Sequence, residues 1–133
     1  MVDQIRSSIG MNEFEIVLRG YSTFPIISVT ASGSGNYEWG EGLTQIAHGL
    51  GYTPTLMLNV QTANGTKTNN YPGSHQFSSV SGTSGYWAQF GAYVDSTYLY
   101  LITDLMLTNT SLTLGSGWKA QWYLLKEKAK RRV

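Results

Sequence analysis

The sequence predicts an all-β domain, an antiparallel β-sandwich or jelly roll of about eight short strands, and three observations carry that prediction. Apolar and polar residues alternate along most of the chain with the period of a half-buried strand. Fifteen glycines, nine tyrosines and four tryptophans stand in a chain with no long run of Ala, Glu, Lys and Leu, a balance that favours pleated strands and turns over helices. Clusters of Gly, Asn and Ser interrupt the alternating runs at intervals of roughly 8 to 12 residues, the spacing of a sandwich. At 133 residues the chain has the size of one ordinary domain, long enough for a real core.

The elements follow in order. In "FEIVL", Phe14, Ile16 and Leu18 share a face. "FPIISVT" from Phe24 is a second strand, with Pro25 expected at an edge or first position because proline gives nothing to a ladder. "ASGSGN", 31–36, is a loop by composition. "LTQIAH" from Leu43 leads into "HGLGYTP", and beyond it Leu56, Leu58 and Val60 line one face against Thr55, Met57 and Asn59. Asn64-Gly65 is a hairpin-turn signal, since both residues tolerate positive φ. The stretch 68–85 reads as a polar, irregular surface loop with at most one short strand around His75 to Ser79.

Regularity returns in the second half. Tyr86, Ala88, Phe90, Ala92 and Val94 oppose Trp87, Gln89, Gly91 and Tyr93. Leu99 and Leu101 oppose Tyr98, Tyr100 and Ile102, while Leu112 and Leu114 alternate in "SLTL". Trp118, Ala120, Trp122 and Leu124 oppose Lys119, Gln121 and Tyr123. Residues 13–126 therefore form the predicted β-sandwich domain, preceded by an arm, 1–12, and followed by a basic tail, 127–133.

Charge is sparse and uneven. Charged residues make up 13% of the chain and the net charge is +1, against about 25% charged in an ordinary soluble domain. Five of the nine basic residues, Lys126, Lys128, Lys130, Arg131 and Arg132, crowd the end of the chain with one acid, Glu127. A mildly acidic body thus carries a basic tag, and nucleic acid is an expected partner only through that tag. Without cysteine neither a disulfide framework nor a thiolate metal site is available. The start lacks the basic and apolar pattern of a signal peptide.

The chemistry-bearing residues do not compose a catalytic motif. Gly49-Leu50-Gly51 has Pro54 where a dinucleotide loop needs its third glycine, and a strand follows where a helix must begin. His48 has no nucleophile elbow or spaced acid beside it, and two histidines, His48 and His75, fall short of a metal site. The carboxylates Glu13, Glu15, Glu38, Glu41, Asp95 and Asp104 look scattered, with no pair brought together by the pattern. Asn64-Gly65-Thr66 and Asn109-Thr110-Ser111 read as turns. No catalytic residue, cofactor or metal is therefore expected, and His48-Gly49-Leu50-Gly51 becomes a strand-to-strand bend with His48 hydrogen-bonded at a strand end. The aromatics are more informative. Tyr71, His75, Trp87 and Tyr93 are the candidate glycan-binding or subunit-interface surface, because tyrosine and tryptophan concentrate where one surface meets another.

"DQIRSSIGMNEFEIVLRGYST" at 3–23 and "IAHGLGYTPTLMLNV" at 46–60, closed later by "WKAQWYLLKEK", resemble small bacteriophage virion proteins of tail fibre, tail tip and minor structural type. The strand, His-Gly-Leu-Gly-Tyr-x-Pro, strand pattern is similar to phage β-sandwich modules related to H-type lectin domains. The resemblance implies a non-enzymatic virion component assembled in the host cytoplasm, commonly a homotrimer or other symmetric oligomer. It also implies contact with other virion proteins, here expected through residues 1–12. The alternative it carries is a carbohydrate-binding module of a fibre that recognises a host surface glycan. No sugar-binding residues of true H-type lectins match here position by position.

Overall fold

The computed structural model describes residues 13–64 and 67–128. The expected arm 1–12 and most of the basic tail lie outside them. Ten antiparallel strands follow in order: β1 (Phe14–Thr23), β2 (Ile27–Ala31), β3 (Tyr37–Ala47), β4 (Thr55–Asn64), β5 (Lys67–Pro72), β6 (His75–Ser81), β7 (Ser84–Val94), β8 (Tyr98–Thr108), β9 (Thr110–Leu114) and β10 (Trp118–Glu127). The fold is all-β, as the alternation predicts, with sheets packed face to face as in a sandwich. One sheet has the order β1-β10-β4-β5, the other β3-β8-β7-β6, and β2 pairs with β9 in a separate ribbon.

Alternation builds the core. Val60, Ala120, Trp122 and Leu124 point inward from the first sheet, and Ala88, Phe90, Leu99, Leu101, Leu105 and Leu107 from the second. Each large side chain so buried contributes roughly 1.5–3 kcal/mol relative to exposure. Thr103, the one buried hydroxyl in the β8 inner row, donates to the Pro25 carbonyl at 2.7 Å. The β2–β9 ribbon lies over the inner face of β3, where Gly40 and Gly42 replace side chains. A Cβ on Gly40 would overlap Val29, and one on Gly42 would reach Ile27 at 2.6 Å.

Several sequence expectations need correction. The irregular loop at 68–85 is almost wholly strand: β5, β6 and the start of β7 occupy it. Its polar residues hide this because β5 and β6 are edge strands whose side chains are mostly exposed, so no apolar alternation marks them. With β5 and β6 added, the count rises from about eight strands to ten. The alternation of β1 is also interrupted. The pairing with β10 slips at a bulge between Ile16 and Leu18, which leaves Ile16 and Leu18 exposed while Val17 packs on the core. At the β4–β5 hairpin, Asn64 pairs with Lys67, so Asn64 is the last ladder residue rather than the first turn residue, and residues 65–66 lie outside the described set. Finally, β3 begins at Tyr37, six residues before the expected Leu43. At the other end β10 runs through Glu127, paired with Phe14.

Candidate functional site

The bend at His48 proves to be a structural joint. Gly49 and Gly51 take φ of 67° and 77°, the left-handed region that a side chain disfavours. The Leu50 N–H donates to His48 Nδ1 at 3.1 Å, so Nε2 carries the proton and donates to the Asp95 carbonyl at 2.8 Å. The His48 N–H in turn donates to the Thr97 carbonyl at 3.1 Å. Buried and with both ring nitrogens engaged, His48 ties the β3–β4 bend to the β7–β8 turn. In that turn the Asp95 carboxylate accepts from the Thr97 and Tyr98 N–H groups at 2.8 and 2.7 Å and from the Tyr100 hydroxyl at 2.8 Å. The Tyr98 and Thr97 amides, then the Tyr100 hydroxyl, hold the Asp95 carboxyl below the ordinary carboxylate value.

The four candidate surface residues separate into three places. Tyr71 stacks on His75 with ring centres 3.7 Å apart, and His75 continues the stack toward Trp118 and Phe77. Trp118 then lies 4.3 Å from Phe90 in the core. Tyr71 and His75 are therefore half-buried edge packing, and burial lowers the His75 pKa. Trp87 and Tyr93 share the outer face of the second sheet but not a site. The ladder rows holding Asp104 and Ile102 lie between them.

Strand register composes that outer face row by row. Tyr37, Thr108 and Gly85 form one end. Trp39, Met106 and Trp87 follow, then Glu41, Asp104 and Gln89, then Leu43, Ile102 and Gly91, and then Gln45, Tyr100 and Tyr93. Trp39 and Trp87 are 6.0 Å apart between ring centres, and Tyr93 stacks on Tyr100 at 4.5 Å. Tyr37, Trp39, Leu43 and Tyr93 are 65%, 59%, 47% and 48% exposed.

Between the aromatic rows stands a carboxylate pair that the sequence pattern conceals. Glu41 and Asp104 are directly opposite on β3 and β8, which corrects the reading of the acids as scattered. Asp104 Oδ1 is buried without a hydrogen-bond partner. Burial first, and the Glu41 charge second, push the Asp104 carboxyl above its ordinary value. Such a pair accepts hydrogen bonds from hydroxyl or amino groups and holds a proton more readily than an isolated carboxylate. No group of three or more His, Asp or Glu able to hold a metal ion occurs among the described residues.

Two concavities adjoin these faces. A cleft of about 450 Å³ opens at the Tyr37 end of the second sheet, between the β2–β3 loop and the β6–β7 hairpin, with Trp87, Met106 and Thr108 among its walls. A shallower groove of about 380 Å³ on the first sheet is lined by Arg19, Tyr21, Gln121 and Tyr123. Beside that groove Asn70 Oδ1 accepts from Asn59 Nδ2 at 3.0 Å and Gln61 Nε2 at 2.7 Å, and Gln121 Oε1 accepts from Asn59 Nδ2 at 3.2 Å. Those amides thus satisfy one another. Sequence reasoning finds Trp87 and Tyr93 by alternation but misses Tyr37, Trp39, Glu41 and Asp104, whose juxtaposition depends on the pairing of β3 with β8.

Comparisons of the chain with protein-family models, with curated proteins and with solved structures return no match.

Proposed function

We propose that this chain is a non-enzymatic structural component of a bacteriophage virion, of tail, fibre or head surface, and that it works through contacts between subunits. The observation that carries the reading is the outer face of the second sheet. Trp39, Leu43 and Tyr93 present large apolar side chains to solvent on one sheet face, with the Glu41–Asp104 row between Trp39 and Leu43. Apolar surface of this kind is favoured in contact with another protein, and tryptophan and tyrosine anchor such contacts.

Three further observations agree with it. The one histidine in a glycine-rich bend is consumed by structure, charged residues are few, and the stretches 3–23 and 46–60 resemble phage virion proteins. A homotrimer or another closed symmetric assembly satisfies the exposed face without leaving it open to further association. Mass spectrometry of purified particles tests the assignment to a virion. The chain is expected there in a fixed copy number that survives stringent washing, and its absence from intact particles overturns the assignment.

A further inference from the structure

We infer that the outer face of the second sheet, led by Trp39 and Glu41, docks on the opposite face of a second copy of this chain, in the first-sheet groove lined by Arg19, Tyr21 and Tyr123, so that subunits join head to tail. The inference rests on the subunit-interface reading and adds to it the surface that receives the face.

The two outer faces carry opposite charge. In the five outer rows of the second sheet the only charged residues are Glu41 and Asp104, opposite each other in the middle row. In the three outer rows of the first sheet that run from Arg19 to Thr23 on β1, and from Tyr123 to Lys119 on β10, the only charged residues are Arg19 and Lys119. A two-fold contact of the second sheet with itself, centred on the middle row, sets carboxylates against carboxylates and buries them without a counter-charge. The first sheet placed against itself sets cations against cations. Like charges across a contact are what rejects a wrong pairing, and only the pairing of the two different faces matches sign.

Shape and spacing agree with charge. Trp39 is 59% exposed and stands one row from Glu41 on the same strand, about 7 Å away at two residues of strand rise. The receiving groove, about 380 Å³, has Arg19 and the exposed Tyr21 at the same two-residue spacing on β1. A guanidinium binds a carboxylate through two parallel N–H donors and also stacks on an aromatic ring. Arg19 therefore serves Glu41 and Trp39 together, with Tyr21 and Tyr123 as aromatic walls. Lys119, whose Nζ lies 5.7 Å from the centre of the Tyr21 ring, supplies a second cation toward the charge of Asp104. Each copy carries both halves on opposite faces of the sandwich, so the contact is heterologous, and it is satisfied throughout when the copies close into a ring rather than a pair.

Light scattering coupled to size exclusion, on the full chain and its variants, tests this. Arg19→Glu, at an exposed position, is expected to run at the monomer mass with an unchanged circular dichroism spectrum, and Glu41→Arg added to it is expected to restore the oligomer. Mixing is the sharper test. Arg19→Glu keeps its second-sheet face and loses its groove, whereas Trp39→Ser with Leu43→Ser keeps its groove and loses its face. Each alone is expected to be monomeric, and an equimolar mixture is expected to run at the mass of one copy of each and to grow no further, a result that a face-to-same-face contact does not give. If Arg19→Glu assembles like the parent while Trp39→Ser with Leu43→Ser does not, the subunit-interface reading stands and this inference is overturned. An Arg19→Glu monomer that neither Glu41→Arg nor mixing rescues also overturns it, and a parent chain that is monomeric at every concentration overturns both.

Discussion

Glu41 and Asp104 face each other across the β3–β8 ladder, a like-charge pair on the exposed side of a sheet that is otherwise aromatic and aliphatic at its neighbouring rows. Opposite like charges weaken a sheet by roughly 0.2–1 kcal/mol, and Asp104 adds an unpartnered buried oxygen.

Removing the Asp104 charge is therefore expected to stabilise the isolated domain. The folded-state pKa of Asp104 lies above its ordinary value of 3.8. As pH rises through the window between those values the unfolded chain gives up its proton first, and stability falls. Asp104→Asn is expected to gain about 0.5 kcal/mol at neutral pH, solvent screening keeping the gain small, and to lose that advantage on acidification through the window. Urea denaturation at a series of pH values measures it, and a destabilised variant at pH 7 contradicts it.

Asp95 has the opposite sign. Its carboxyl is held below 3.8 by the Tyr98 and Thr97 amides and the Tyr100 hydroxyl, so its contribution is fully present above that ordinary value and is lost as pH falls through the lowered one. Asp95→Asn is expected to be less stable than the parent at neutral pH, the difference narrowing in acid. The same pH series of denaturation curves decides this, and a difference that widens in acid contradicts it.

His48 links two turns through both ring nitrogens. Its replacement by alanine leaves the Leu50 N–H and the Asp95 carbonyl without these partners, a loss of roughly 1–3 kcal/mol by the usual cost of an unmade bond to a part-buried group. The thermal midpoint is the readout, with hydrogen exchange at Leu50 rising selectively.

Gly40 gives way to Val29 of the β2–β9 ribbon. Gly40→Ala is expected to cost about 1–3 kcal/mol by overpacking, and Val29→Ala added to it is expected to recover part of the loss, a non-additivity visible in a double-mutant cycle.

These examples show where the sequence was readable. The inner rows of β7, β8 and β10 were legible because each strand is central to its sheet, with burial alternating over Ala88–Phe90, Leu99–Leu107 and Ala120–Leu124. The edge strands β5 and β6 were not, since Lys67 to Asn70 and Ser78 to Ser81 are exposed on both faces, so no apolar alternation marks them. The His48 bend was legible from its glycines. The Glu41–Asp104 pair and the Trp39–Trp87 contact were not, because they depend on the register of β3, β8 and β7, which local residue pattern does not specify. Gly40 and Gly42 carried no local sign that a second ribbon lies over them.

The central claim is that the outer face of the second sheet joins subunits, and light scattering coupled to size exclusion tests it most directly. The parent chain is expected to run as a single symmetric oligomer that persists on dilution, and Trp39→Ser with Leu43→Ser to run at the monomer mass with an unchanged circular dichroism spectrum. A parent chain that is monomeric at every concentration, or an oligomer that the double variant leaves intact, contradicts the account.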